Sequence, residues 1–225
     1  MKIVSWNCKG NFREKYKIIQ TLDADIYVIP ESENPRKYVR EFKDFHSNHI
    51  WLGDNDNKGL AVFAKPNIEL APLNWPSYNL RYFIPIKVNK DFILLAVWTS
   101  KSSYIEGYYV YQSINIKNFR ESIVIIGDFN SNVKWDKDHG IRNHSAVVRD
   151  LKELGIVSAY HHMTGEIAGK ETQPTFYQSR KNGKDILNHI DYCFTRAKQI
   201  KDFKVLNLYD WIKYRTDHAP IQIII

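Results

Sequence analysis

Short apolar, β-branched runs recur along the chain, and each meets oxygen-bearing or imidazole side chains at one end. That pattern confines the chain to a scaffold of buried strands opening onto polar mouths. Residues 123–126 read Ile-Val-Ile-Ile and lead into Gly127-Asp128-Phe129-Asn130. The first strand carries Trp6-Asn7, residues 26–29 lead into Pro30-Glu31, and Thr216-Asp217-His218-Ala219-Pro220 stands before the largely apolar 221–225. Runs without polar alternation are strands covered on both faces. On α/β scaffolds the polar positions just beyond such strands are where chemistry concentrates.

Periodicity along the rest of the chain predicts alternating elements. Strands are expected at 3–8, 26–30, 58–63, 123–126, 175–178, 189–195, 203–208 and 220–225, with a hairpin of 82–88 and 92–98 joined by Asn89-Lys90-Asp91. Helices are expected where Phe12, Tyr16, Ile19 and Leu22 recur at helical spacing, over 108–119, and over 145–154, stopping at Gly155. So many strands, some joined by helices and some by hairpins, imply an α/β (α+β) fold in which two mixed sheets pack together under helices. No internal repeat or low-complexity segment interrupts the pattern.

At 225 residues and 44% hydrophobic content, the chain is expected to form a single domain, 1–225, around one substantial core. The N-terminus turns polar too early for a secretory segment, and no apolar stretch is long enough to span a membrane, so a soluble, cytoplasmic protein is expected. Cys8 and Cys193 are too few for a disulfide framework and read as reduced core thiols without a role. A net charge of +7, spread along the chain, suits a polyanionic partner as well as it suits a solvated surface.

Asp128 and Asn130 are two residues apart, so in extended chain they face one way while Phe129 turns to the core. An Asp-Xaa-Asn turn closing a strand would give the same spacing. With Asn7, Glu31, Asp191 and Asp217 these residues form an oxygen-rich set without a cysteine cluster, which suits Mg²⁺ or Mn²⁺ rather than Zn²⁺. Two histidines lie beside acids, in His189-Ile190-Asp191 and in Asp217-His218. His218 reads as catalytic and His189 as a satisfied structural histidine.

Taken in order, Trp6-Asn7, Pro30-Glu31, Gly127-Asp128-Phe129-Asn130, His189-Ile190-Asp191-Tyr192 and Thr216-Asp217-His218-Ala219-Pro220 resemble the motifs of the endonuclease/exonuclease/phosphatase superfamily. The resemblance spans residues 6–220 and implies a four-layer sandwich of two sheets flanked by helices, hydrolysing phosphate esters with a divalent metal. It implies that Asn7, Glu31 and Asp217 hold the metal, that Asp128 and Asn130 position the water and the phosphate, and that His218, oriented by Asp191, acts on the phosphate or as a base. There are two departures. Members commonly carry a histidine after a central strand, where this chain reads Leu95-Ala96-Val97-Trp98-Thr99-Ser100; Tyr104, Tyr108, Tyr109 or Tyr111 could supply a hydroxyl instead. Lys9 stands where apurinic-site endonucleases carry an acid, which argues against abasic-site specificity.

Basic and aromatic residues mix in the loops 132–143, 178–184 and 209–215. Trp135, Arg180, Lys181, Trp211 and Arg215 are the expected contacts to a phosphate backbone and its bases. The expected activity is a phosphodiesterase of nucleic acid, DNA first. The alternatives are a phosphatase or phosphodiesterase of a nucleotide, inositol phosphate or lipid head group, and a binding module without turnover.

Overall fold

The structure, a computed structural model, describes residues 1–42, 44–45, 48–100 and 104–225. Its elements in chain order begin with β1 (Lys2–Ser5), α1 (Phe12–Gln20), β2 (Ile26–Ser32), β3 (Asn48–Asn55), β4 (Lys58–Ala64), β5 (Leu70–Pro72), β6 (Phe83–Val88) and β7 (Phe92–Trp98). There follow α2 (Tyr104–Asn115), β8 (Ile123–Asp128), α3 (His144–Glu153), β9 (Ile156–Ser158), α4 (Ala159–Thr164), β10 (Phe176–Lys181) and β11 (Lys184–Asn188). β12 (Asp191–Arg196), β13 (Asp202–Val205), α5 (Leu208–Ile212) and β14 (Ile221–Ile224) complete the chain.

Among the described residues these strands form two six-stranded sheets, β13-β14-β1-β2-β4-β3 and β5-β6-β7-β8-β12-β9, with β10-β11 as a separate hairpin. Both sheets are mixed: β1 runs parallel to β2 and β7 parallel to β8, while the remaining neighbours are antiparallel.

The unbroken apolar runs have a direct physical cause. On β2, Ile26 and Val28 enter the core between the sheets, while Tyr27 and Ile29 pack on the other face under α1. On β8, Val124 and Ile126 enter the same central core, while Ile123 and Ile125 pack on the opposite face with Tyr108 of α2 and Val147 of α3. Each central strand is therefore covered on both sides, giving four layers in which apolar residues are needed at every position.

The helices follow from their caps and stripes. α1 buries Phe12, Tyr16 and Ile19, spaced one turn apart, and the Glu33 carboxylate accepts the Phe12 N–H at 2.7 Å, compensating the helix N-terminus. α3 starts where the Asn143 side chain accepts the Ala146 N–H at 2.9 Å and stops before Gly155, close to the expected 145–154. The helix expected over 108–119 begins earlier, at Tyr104, and passes into a 3-10 turn, Ile116–Arg120. The strand expected over 203–208 ends at Val205, because Asn207 caps α5. The loops expected at 178–184 and 209–215 are corrected: the first is mostly the β10-β11 hairpin, and the second contains most of α5. No helix among the described residues is long and apolar enough to cross a membrane.

Candidate active site

Strand parity brings the polar mouths together. On β1 Ile3 faces the central core, so alternation carries Ser5, and beyond the strand Asn7, towards the gap between the sheets. On β8 the same count from Val124 and Ile126 places Asp128 in that gap, and on β12 the inward Cys193 places Asp191 there. β8 and β12 are antiparallel, with Asp128 directly opposite Asp191. The two carboxylates are 0% and 1% exposed, an unfavourable pair unless a cation and hydrogen bonds accompany it.

That cation is His218. Its Nδ1 lies 2.9 Å from Asp191 Oδ2 and its Nε2 lies 3.8 Å from Asp217 Oδ1. Burial opposes charge on the imidazole, but the Asp191 carboxylate, its hydrogen bond, and then Asp128 and Asp217 outweigh it and push the pKa up to about 9. Asp128 is pushed up to about 7, first by burial and then by Asp191, while His218 and the hydrogen bonds from Asn7 and Asn130 act in the other direction. Asp128 Oδ1 accepts the Asn130 N–H at 2.8 Å, and Oδ2 accepts from Asn130 Nδ2 at 2.9 Å and Asn7 Nδ2 at 3.0 Å. The Asp-Xaa-Asn pair thus closes the strand as a turn and serves the site at once, with Asn130 held by a second bond to the Thr99 carbonyl at 2.8 Å.

Of the residues expected to hold metal, Asn7 is buried beside Asp128, while Glu31 and Asp217 form the outer part of the same mouth. Asn7 Nδ2 lies 3.3 Å from Glu31 Oε1, and Glu31 sits at a left-handed φ of 63°, at the register shift between Pro30 and Ser32 within β2. Glu31 and Asp217 have partly exposed side chains, and each already holds an ammonium: Lys58 Nζ at 2.8 Å from Glu31, Lys9 Nζ at 2.7 Å from Asp217. Deeper in, Asp128, Asp191 and His218 bring ligand-type atoms within 4.8 Å of one another. Hard oxygen donors that gather cationic partners in this way fit a divalent ion of the Mg²⁺ or Mn²⁺ type.

Two threonines to which the sequence reading gave no role, Thr175 and the Thr216 of the last motif, fix the geometry. Thr175 Oγ1 accepts the N–H groups of Ile190 and Asp191 at 3.0 and 3.1 Å, while its carbonyl accepts the Ala219 N–H at 2.7 Å, so one residue sets Asp191 against His218. Thr216 Oγ1 donates to the Asn7 carbonyl at 2.8 Å and accepts the His218 N–H at 3.1 Å. Thr175→Val keeps the volume but leaves two buried N–H groups unpaired; we expect a loss of about 2 kcal/mol in urea unfolding and a parallel fall in kcat with little change in KM. His189, read as a satisfied structural histidine, is 3% exposed and only half satisfied: Nδ1 lies 2.8 Å from the Gln173 carbonyl, while the buried Nε2 has no hydrogen-bond partner among the described residues.

The expected substrate contacts divide. Arg180, Lys181 and Arg215 are exposed, the first two at the tip of the β10-β11 hairpin. Phe176, at the base of that hairpin, packs against the His218 ring with centroids 4.8 Å apart and planes tilted by 44°, so the hairpin borders the mouth. Trp135 is half-buried with Lys134 Nζ 4.7 Å from its ring centre. Trp211 is a correction: it is 8% exposed and packs edge-on to Trp6 at 5.2 Å, so it offers no face to a base. Of the four tyrosines, Tyr108 and Tyr111 are buried in the outer core, with Tyr108 packed on Phe129 and so on the opposite face of the sheet from Asp128. Tyr104 is 45% exposed and remains available.

The sequence matches no protein-family model and no curated protein. The structure is similar to an AP endonuclease from Archaeoglobus fulgidus, with a TM-score of 0.74 at 16% identity over 100% of this chain and 98% of that one. It is also similar to the 3' phosphatase NExo from Neisseria bound to a product DNA hairpin (TM-score 0.68, 19% identity, 99% and 98% covered). A third similar structure is the endonuclease domain of TRAS1, a telomere-specific non-LTR retrotransposon (TM-score 0.66, 18% identity, 100% and 97% covered). At these identities the likeness is one of fold alone: the chain shares its two-sheet sandwich with those three solved structures.

Proposed function

We propose that this chain is a divalent-metal-dependent phosphodiesterase that cleaves nucleic acid, DNA foremost, using Mg²⁺ or Mn²⁺. The observation that carries the reading is the buried Asp191–His218 pair set against Asp128, at the mouth shared by both sheets. A protonated imidazole there donates a hydrogen bond and positive charge to phosphate oxygens as negative charge builds on them. Asp128, with its pKa near neutrality, is suited to accept the proton of the attacking water, and Asn130 keeps its carboxylate in place. A divalent ion held by Asn7, Glu31 and Asp217 would supply further neutralisation of the phosphate. The exposed Arg180, Lys181 and Arg215 favour a long polyanion over a small phosphorylated molecule.

These roles fix the sign of the pH dependence. Asp128 works deprotonated, so kcat/KM should rise as pH passes through about 7. His218 works protonated, so kcat/KM should fall as pH passes through about 9. A pH profile of oligonucleotide cleavage checks both limbs, and a rate still climbing well above the second value would remove the imidazolium role. Substrate class is tested by oligonucleotide affinity at 50 and 200 mM salt. A steep fall, roughly tenfold or more for a few phosphate contacts, is expected of a nuclease. Salt-insensitive binding with hydrolysis confined to a nucleotide or inositol phosphate would assign the site to small molecules.

A further inference from the structure

The carboxylates expected to hold the metal are each in the grip of a lysine, and these lysines differ from the structural lysine beside them. Lys15 is 6% exposed, and its ammonium donates to the carbonyls of Cys8, Gly10 and Arg215 at 2.6, 2.9 and 3.1 Å, which locks it in place. Lys9 and Lys58 have side chains 56% and 50% exposed, and among the described residues each ammonium has one carboxylate partner, on side chains 22% and 18% exposed. Lys9 is aimed by its backbone: its N–H donates to Asn7 Oδ1 at 3.0 Å and it holds a left-handed φ of 55°. Lys58 opens β4 and lies 5.6 Å from the centre of the Trp98 ring, at the end of β7.

We infer that Lys9 and Lys58 are the resident counter-cations of Asp217 and Glu31, exchanged onto the phosphates of a nucleic-acid strand when a divalent ion takes those carboxylates. The inference rests on the metal-dependent reading above and adds a coupling to it. A divalent ion and an ammonium cannot share the same carboxylate oxygens at full strength, so each lysine weakens metal binding by the worth of an exposed ion pair, about two- to fivefold in affinity. Once released, the two ammonium groups stand at the rim of the mouth, where each new phosphate contact displaces condensed counterions. Metal and nucleic acid must then strengthen each other's binding by the same factor.

The test is a Mn²⁺ titration of the whole chain, with free ion read by electron paramagnetic resonance, for the wild type, Lys9→Met, Lys58→Met, the double variant, and Lys184→Met at the exposed hairpin as a control of equal charge. Each single variant should bind Mn²⁺ about two- to fivefold more tightly, the double variant by roughly the product, and the control like the wild type. A companion measurement follows a slowly cleaved phosphorothioate DNA 12-mer in EDTA and in Mn²⁺, where the gain in affinity from Mn²⁺ should shrink in the double variant. Unchanged or weaker Mn²⁺ binding in the variants, or equal tightening in Lys184→Met, would overturn the exchange while leaving the metal site standing. A wild type that binds no Mn²⁺ would remove both the metal site and the exchange.

Discussion

Replacing His218 by alanine is expected to slow phosphodiester cleavage by a factor of about 10³, the usual scale for losing a preorganised charge aimed at the reacting group. The side chain is the cationic partner of two buried acids, so its removal leaves Asp128 and Asp191 opposed across β8 and β12 without a counter-charge, and only the hydrogen bonds from Asn7 and Asn130 still support Asp128. That cost, about 3 kcal/mol or more for a broken buried pair, will show in unfolding as well as in rate. Asp191→Asn separates the two effects. It keeps the shape and a hydrogen-bonding atom beside Nδ1 but removes the charge that raises the imidazole pKa to about 9. The descending limb of the pH profile should then move towards the ordinary value of 6.5, so the variant works best under more acidic conditions than the wild type. An Asp191→Asn enzyme whose alkaline limb stays in place would show that His218 is not the group titrating there.

Gly127→Ala is expected to be the most disruptive single change in the fold. β7 and β8 are parallel neighbours with Val97 opposite Gly127, and a methyl group on Gly127 would lie 1.8 Å from the Val97 carbonyl oxygen. The residue also has φ of 153°, which side-chain-bearing residues rarely adopt. Backbone strain and overpacking together put the loss on the order of 4 kcal/mol. The displacement falls on the residue before Asp128, so any folded fraction should also be inactive. Ile125→Val, one methylene smaller two residues earlier on the same strand, should cost only about 1 kcal/mol and leave cleavage nearly intact. Urea midpoints of the two variants, measured with cleavage rates, check the contrast, and equal midpoints would show that the close approach of β7 and β8 is not needed.

The inner shell of the site was legible because strand parity is a local property. Asn7, Asp128 and Asp191 can be counted from apolar neighbours that must face the core, and His218 stands just before the last strand. Two packed sheets under helices were legible from the alternation of strands, helices and hairpins, and the four-layer order followed from the family resemblance. Lys58, Thr175 and Thr216 were not, because their roles depend on partners far along the chain, such as Glu31 and Asn7. Two errors had signals that went unused. Asn182-Gly183, with φ of 51° and 75°, is the turn dipeptide that closes a tight hairpin, so the segment first read as a loop is a pair of strands. Leu208 and Trp211 stand three apart, the spacing of a buried helical stripe, and the tryptophan among exposed basic residues is core for that reason.

The most direct test of the central claim is cleavage of labelled single- and double-stranded DNA and RNA by the wild type and His218→Ala, each in Mg²⁺, Mn²⁺ or EDTA. Cutting that requires the divalent ion and falls about a thousandfold in His218→Ala is the predicted result. A wild type that hydrolyses no nucleic acid and no generic phosphodiester such as bis-p-nitrophenyl phosphate, or a His218→Ala variant that cuts at the wild-type rate, would contradict it.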